Sequence, residues 1–239
     1  MQRMGVLCAW LTLVGFSLPS AVFAEGTKLP NVPGEFSANI ALTNDYVFRG
    51  ISQSDEKIAL QGGLDWNSGA GFYLGVWGSS VDFNDGDNAS VEIDLYGGYA
   101  GTIDNFSYSV GFIYYAYPGA SDRLDYDFVE VTASVGYDFD VASVSAAVFY
   151  SPDNFGSTKD AVFATAGIEV PVVENLTFSS NVGHYTVSET FGDDYWTWDV
   201  GLTYAFPWFD IDVRYVDVDE DFCGDFCDAR AVVSVSRSF

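Results

Sequence analysis

The chain is poor in the parts from which an active site is made, beginning with a single histidine, His184, in 239 residues. A hydrolytic nucleophile needs a base beside it and a third group to orient that base. Gly183-His184-Tyr185-Thr186 sets a hydroxyl two residues from the imidazole, on the same strand face, but no orienting group accompanies it. No Gly-rich phosphate loop, Gly-x-Ser-x-Gly elbow or His-Glu-x-x-His motif occurs either. The reading is therefore not an enzyme, with no cofactor and with His184 as an interfacial side chain. Basic residues are also scarce: nine Lys and Arg stand against 34 Asp and Glu, a net charge of −25 that repels nucleic acid. Such acidity often means disorder, but 49% hydrophobic and 17% aromatic residues exclude it. The apolar run Val6–Leu18 is too short to span a bilayer, and from Glu35 onward there is no apolar stripe of helical period.

What is present begins with an export signal. Arg3, the run Val6–Leu18, Pro19 and the small-residue stretch Ala21-Val22-Phe23-Ala24 read as a signal peptide, residues 1–24, cleaved after Ala24. Cys8 lies inside the apolar run rather than at its end, which argues against a lipid anchor. A short lead, 25–34, precedes the main domain, 35–239. Export brings the chain to an oxidising compartment, where Cys223 and Cys227, in Cys-Gly-Asp-Phe-Cys, are expected to bridge. The alternative is a metal site built from both thiolates with Asp221, Asp225 or Asp228; one Cys pair without a second Cys/His pair supports it weakly, and no metal is expected.

From Glu35 the sequence alternates with period two, most plainly in Val91-Glu92-Ile93-Asp94-Leu95-Tyr96, Phe106–Phe112 and Phe209-Asp210-Ile211-Asp212-Val213-Arg214-Tyr215. Twelve segments follow: 35–48, 57–67, 71–82, 89–99, 105–117, 126–139, 141–151, 160–170, 175–187, 194–206, 208–217 and 227–239. Their length fits a tilted crossing of hydrocarbon better than the strands of a soluble sandwich. Long connections near 49–56, 83–88, 118–125, 152–159, 188–193 and 218–226 alternate with short ones at 68–70, 100–104, 140, 171–174 and 207. An even strand count with this alternation predicts an all-β fold: an antiparallel transmembrane β-barrel of twelve strands, both termini periplasmic, in the outer membrane of a Gram-negative bacterium. In segment 71–82, Phe72, Leu74 and Val76 are taken as the outward set over Tyr73, Gly75 and Trp77. Tyr114, Tyr115 and Tyr117, Tyr195 with Trp196 and Trp198, and Phe206 with Trp208 stand at segment ends, where interfacial girdles belong. A soluble β-sandwich is the lesser alternative, since it would have exposed edges to manage.

The last segment places Ala229, Ala231, Val233, Val235, Arg237 and Phe239 on one face, with Arg237 as a snorkelling interruption. A terminal Phe on an alternating strand resembles the signal read by the outer-membrane barrel-assembly machinery, which makes that machinery an expected partner through Phe239. Further, Ser37–Ser54 (SANIALTNDYVFRGISQS), Gln61-Gly62-Gly63-Leu64-Asp65, Gly71–Trp77, Cys227-Asp228-Ala229-Arg230 and Ser236-Arg237-Ser238-Phe239 together resemble the TorF family of porins. The resemblance covers the start and end of the mature chain most specifically. It implies an outer-membrane porin architecture and brings no catalytic or substrate-binding motif.

With apolar faces toward lipid, the pore-lining set is Asp65, Glu92, Asp94, Glu130, Asp138, Glu169, Asp199, Asp210 and Asp212, against Arg214 and Arg230. Carboxylates in a narrow aqueous path attract cations. The expectation is a passive channel for small cationic or neutral solutes. The alternative is a plugged structural or adhesive barrel, its arginines paired with Asp210, Asp212 or Asp94. Acidic connections, with Asp82, Asp85 and Asp87 in one and Asp217, Asp219, Glu220, Asp221 and Asp225 in another, suit divalent bridges to lipopolysaccharide phosphates. The run Asp82–Asp87 is not a calcium loop: Gly86 falls fifth and Ile93 twelfth.

Overall fold

The computed structural model describes residues 26–28, 33–188, 192–220 and 222–239. The signal segment 1–24, cleavage after Ala24, part of the lead and Asp221 lie outside these described residues. In chain order the strands are β1 (Glu35–Thr43), β2 (Val47–Phe48), β3 (Ile51–Ser52), β4 (Ala59–Asn67), β5 (Phe72–Ser80), β6 (Val91–Ile103) and β7 (Phe106–Ala116). There follow β8 (Phe128–Asp138), β9 (Ser143–Ser151), β10 (Ala161–Val173), β11 (Leu176–Thr186), β12 (Tyr195–Ala205), β13 (Asp210–Val218) and β14 (Arg230–Ser238). Twelve of these close an antiparallel barrel, with β1 paired to β4 on one side and β14 on the other; β2 and β3 form a separate two-stranded hairpin.

The wall strands run nine to thirteen residues, or ~30–43 Å at ~3.3 Å per residue, enough for a tilted crossing of hydrocarbon. Period two gives each strand one apolar outer face and one polar or aromatic inner face. Outside stand Leu60, Leu64, Phe72, Leu74, Val110, Phe112, Val131, Val200 and Val213, all exposed. Water does not support an apolar belt of that extent on a monomer. Lipid does, and closure leaves no unpaired strand edge within it. Phe72 and Leu74 face out and Tyr73 and Trp77 in, as the alternation predicts.

The short connections 68–71, 104–105, 139–142, 174–175 and 206–209 share one end of the barrel with the start of β1 and the end of β14. There Asp104 and Asn175 adopt left-handed conformations, φ 54° and 66°, which short polar side chains tolerate in tight hairpins. Ala38 and Phe239 exchange backbone hydrogen bonds of 3.1 and 2.8 Å across the β1–β14 seam. Long connections, 44–58, 81–90, 117–127, 152–160, 187–194 and 219–229, occupy the other end.

Two expectations are corrected. The first segment leaves the wall at Thr43 rather than at 48, because the Asn44 side chain takes over the ladder bonds, donating to Ala231 O and accepting from Val233 N. And Tyr115, Tyr117 and Tyr195 are buried inside the barrel, leaving Tyr114, Trp196, Trp198, Phe206 and Trp208 outside. Neighbours along a strand point to opposite faces, so a cluster of consecutive aromatics cannot all join a girdle. Arg237 does: its guanidinium lies 4.8 Å from the Phe239 ring and 5.7 Å from that of Trp208, on the outer rim.

Candidate functional site

The connection 44–58 does not stand away from the barrel. It turns into the lumen, and its tip, Phe48-Arg49-Gly50-Ile51, is a tight hairpin with both central residues left-handed, φ 50° at Arg49 and 88° at Gly50. That conformation suits glycine and strains arginine. At Gly50 an added Cβ would stand 2.3 Å from Val218 Cγ1 and 2.6 Å from Thr197 Oγ1, so the tip lies directly against β12 and β13.

Arg49 is 4% exposed. Its Nη2 donates to Glu130 Oε2 at 2.7 Å, and Tyr115 donates to the same oxygen at 2.9 Å. The guanidinium carbon lies 4.6 Å from the Phe48 ring centre, 5.1 Å from Phe149, 4.6 Å from Phe163 and 4.7 Å from Tyr185. The arrangement is a cation in an aromatic box with a carboxylate at one side, the geometry of cation–π recognition. Three of the rings and Glu130 belong to wall strands β8 to β11; Phe48 belongs to the hairpin.

Other bonds hold the hairpin's limbs. Asp45 accepts from Ser52 at 2.7 Å, Ser54 at 2.9 Å and Arg230 Nη1 at 2.7 Å, while Tyr46 donates to Glu92 at 2.7 Å. Arg230 is aimed by the last long connection: its Nε donates to Asp228 O and its Nη2 to Asp225 O. Those carbonyls sit in or beside the 3₁₀ turn Gly224–Cys227, which the Cys223–Cys227 disulfide closes. On the return limb Lys57 bridges Asp55 at 2.8 Å and Asp82 at 2.7 Å, and this ammonium holds the Asp82 carboxyl below its usual range. Above the hairpin, Phe83, Tyr117, Tyr126 and Phe155 from three long connections pack ring on ring, with Tyr126 and Phe155 stacked at 4.2 Å.

The lumen therefore has two unlike halves. Toward the long connections every wall strand contributes buried inward side chains, among them Thr43, Trp77, Tyr115, Phe149, Phe163, Tyr195 and Val218, and the hairpin fills the space between them. Toward the short turns the inward residues are mostly polar: Ser107, Ser109 and Ser179 are buried, while Asp65, Glu169, Asp199, Asp212 and Arg214 are partly exposed to water. Arg214 there bonds Asp199, Asp212 (3.1 Å) and Ser179 (2.8 Å), Asn181 donates to Asp199 at 3.0 Å, and Tyr96 donates to Asp65. Gly201 lets the guanidinium in, since a Cβ there would meet Arg214 Cζ at 2.9 Å.

The residues read as pore-lining all lie on the inward face, but in different settings. Asp65, Glu169, Asp199, Asp212 and Arg214 line the watered half, while Asp138 and Asp210 stand at its rim beside the short turns. Glu92, Asp94 and Glu130 belong to the filled half, at most 2% exposed, and neither Asp94 oxygen has a hydrogen-bond partner. Arg230 pairs with Asp45, not with Asp210, Asp212 or Asp94; Arg214 does pair with Asp212, but along its own strand. His184 lies 4.6 Å from the Trp196 ring, with Thr186 Oγ1 3.3 Å from its Nδ1. Asp45, Tyr46 and Arg49 were not legible as site residues, because 44–48 continues the apolar alternation of β1. The one available signal was the turn chemistry of Asn44-Asp45 and Arg49-Gly50 inside an otherwise strand-like stretch.

In fold, this barrel is similar to the barrels of solved porins. A KdgM porin superposes with TM-score 0.60 at 13% identity, covering 85% of this chain and 99% of its own. A KdgM porin in complex with disordered oligogalacturonate gives 0.57 at 13%, covering 85% and 98%, and a NanC porin 0.56 at 9%, covering 84% and 97%. These likenesses carry the closed-barrel fold and do not single out the TorF family. No curated protein sequence matches. One family profile matches residues 27–239, and by it the chain belongs to the bacterial family of unknown function Gcw_chp.

Proposed function

We propose that the protein is a porin-type channel of a Gram-negative outer membrane, passing small cationic or neutral solutes passively, with its resting state closed by the inward hairpin 44–58. The observation that carries this reading is the charge of the lumen's water-reached half: Asp65, Glu169, Asp199 and Asp212 face inward there, against Arg214. Low-dielectric walls focus such a field and favour cations. The fold shared with the KdgM and NanC porins supports the channel architecture. Oligogalacturonate, present in one KdgM structure, is a polyanion, and a carboxylate-lined lumen is a poor path for it. The solute class proposed here is accordingly different. In this reading the short turns and both termini are periplasmic, the acidic long connections face lipopolysaccharide, and Phe239 is presented to the assembly machinery.

A second reading has a specific observation behind it: the packed half of the lumen, with Trp77, Tyr115, Phe149, Phe163 and Tyr195 each about 1% exposed, suits a closed structural barrel. Planar-bilayer recording of the refolded protein under a potassium chloride gradient separates the two. We expect brief, cation-selective openings in the wild type and a severalfold larger mean current in Arg49→Ala, which frees the hairpin. A variant that inserts and stays silent would move the assignment to the structural role.

A further inference from the structure

The wall box around Arg49 is a guanidinium-binding site that the chain itself occupies, and we propose that a guanidinium-bearing solute competes with Arg49 for it and thereby holds the channel open. This inference rests on the channel reading above for its consequence, but the binding itself does not need conduction. The site is built from the wall alone: Phe149, Phe163 and Tyr185 present ring faces within 5.1 Å of the guanidinium carbon, and Glu130, 1% exposed, accepts its Nη2. Only Phe48 leaves with the hairpin.

Arg49 fills the box under visible penalties. Its backbone is left-handed at φ 50°, and beyond Glu130 its donors meet mainly ring faces rather than well-directed acceptors. A free guanidinium has no backbone to strain and can rotate to satisfy more of its donors. The closed state thus offers its own ligand imperfectly, the condition under which an external ligand shifts the balance. Charge argues the same way. Glu92, Asp94 and Glu130 are buried together with Arg49 as the cation among them, and Asp94 has no partner for either oxygen. When the hairpin leaves, Tyr46 also withdraws its hydrogen bond from Glu92. Glu130 then keeps Tyr115 as a donor but has lost its guanidinium, so the emptied box invites a cation from solution.

The test is isothermal titration of n-propylguanidinium, the side-chain fragment of arginine, into the refolded barrel in detergent, with heat-modifiable gel migration confirming that each variant is folded. Arg49→Ala is expected to bind at least about tenfold more tightly than wild type, and Arg49→Ala with Glu130→Gln to lose that gain. If removing Arg49 disturbs folding, Gly50→Ala serves instead, since its methyl collides with Val218 and Thr197 and expels the tip while sparing the box. Equal weak binding by wild type and both opened variants would overturn the proposal, as would binding indifferent to Glu130→Gln. Tight binding in a barrel that never conducts would overturn the channel reading and keep the site. Cation-selective current without any guanidinium binding would do the reverse.

Discussion

Asp94 carries a carboxylate shut away from water with no donor to either oxygen, while Glu130, nearby on the same inner wall, is held by Arg49 and Tyr115. The two acids should respond oppositely to neutralisation. Asp94→Leu removes a buried polar group that has no partner and is expected to stabilise the barrel by about 1–3 kcal/mol, read as a higher urea midpoint; a lower midpoint would mean that a partner from solution normally holds this carboxyl group. Glu130→Gln leaves Arg49 buried and unpaired, and a loss of about 3–5 kcal/mol is expected in the same assay. The inward direction of both side chains was legible from the alternation in Val91–Tyr96 and Phe128–Asp138. Their partners were not, because an ion pair between residues 49 and 130 leaves no local pattern.

At the scale of elements, the hairpin is gripped from three sides: by the wall box at its tip, by loop 81–90 through Lys57 and Asp82, and by the disulfide turn through Arg230. The third grip can be loosened without touching the wall. Replacing Cys223 and Cys227 with serine removes a crosslink over a separation of only four residues, worth about 2 kcal/mol on loop-entropy grounds, and frees the carbonyls that aim Arg230. Single-channel records should then show a severalfold longer open time, with the barrel's heat-modifiable migration unchanged; open times equal to wild type would detach the disulfide from the closing device. The Cys pairing itself was readable from spacing and compartment. That 44–58 folds inward was hidden, since Tyr46-Val47-Phe48 looks like more strand until the lumen it fills is known.

For the whole molecule, twelve strands, their order and the sorting of long and short connections to opposite ends follow from period and spacing alone. The state of the interior does not, because a twelve-stranded barrel is wide enough to leave a passage and narrow enough to be filled by one hairpin and a ring of aromatics. The outer belt predicts the solvent: the folded, heat-modifiable form should persist in detergent or lipid and be lost to aggregation on detergent removal, whereas a monodisperse folded protein in plain buffer would contradict the lipid-facing assignment of Leu60, Phe72 and Val131.

The bond between Asp45 and Arg230 spans 185 residues and lies beside the seam where β1 meets β14. Arg230 opens the last strand, so this grip forms only as that strand arrives. The hairpin's third grip therefore waits for the strand that completes the wall, and a contact so distant along the chain falls at the slow end of folding.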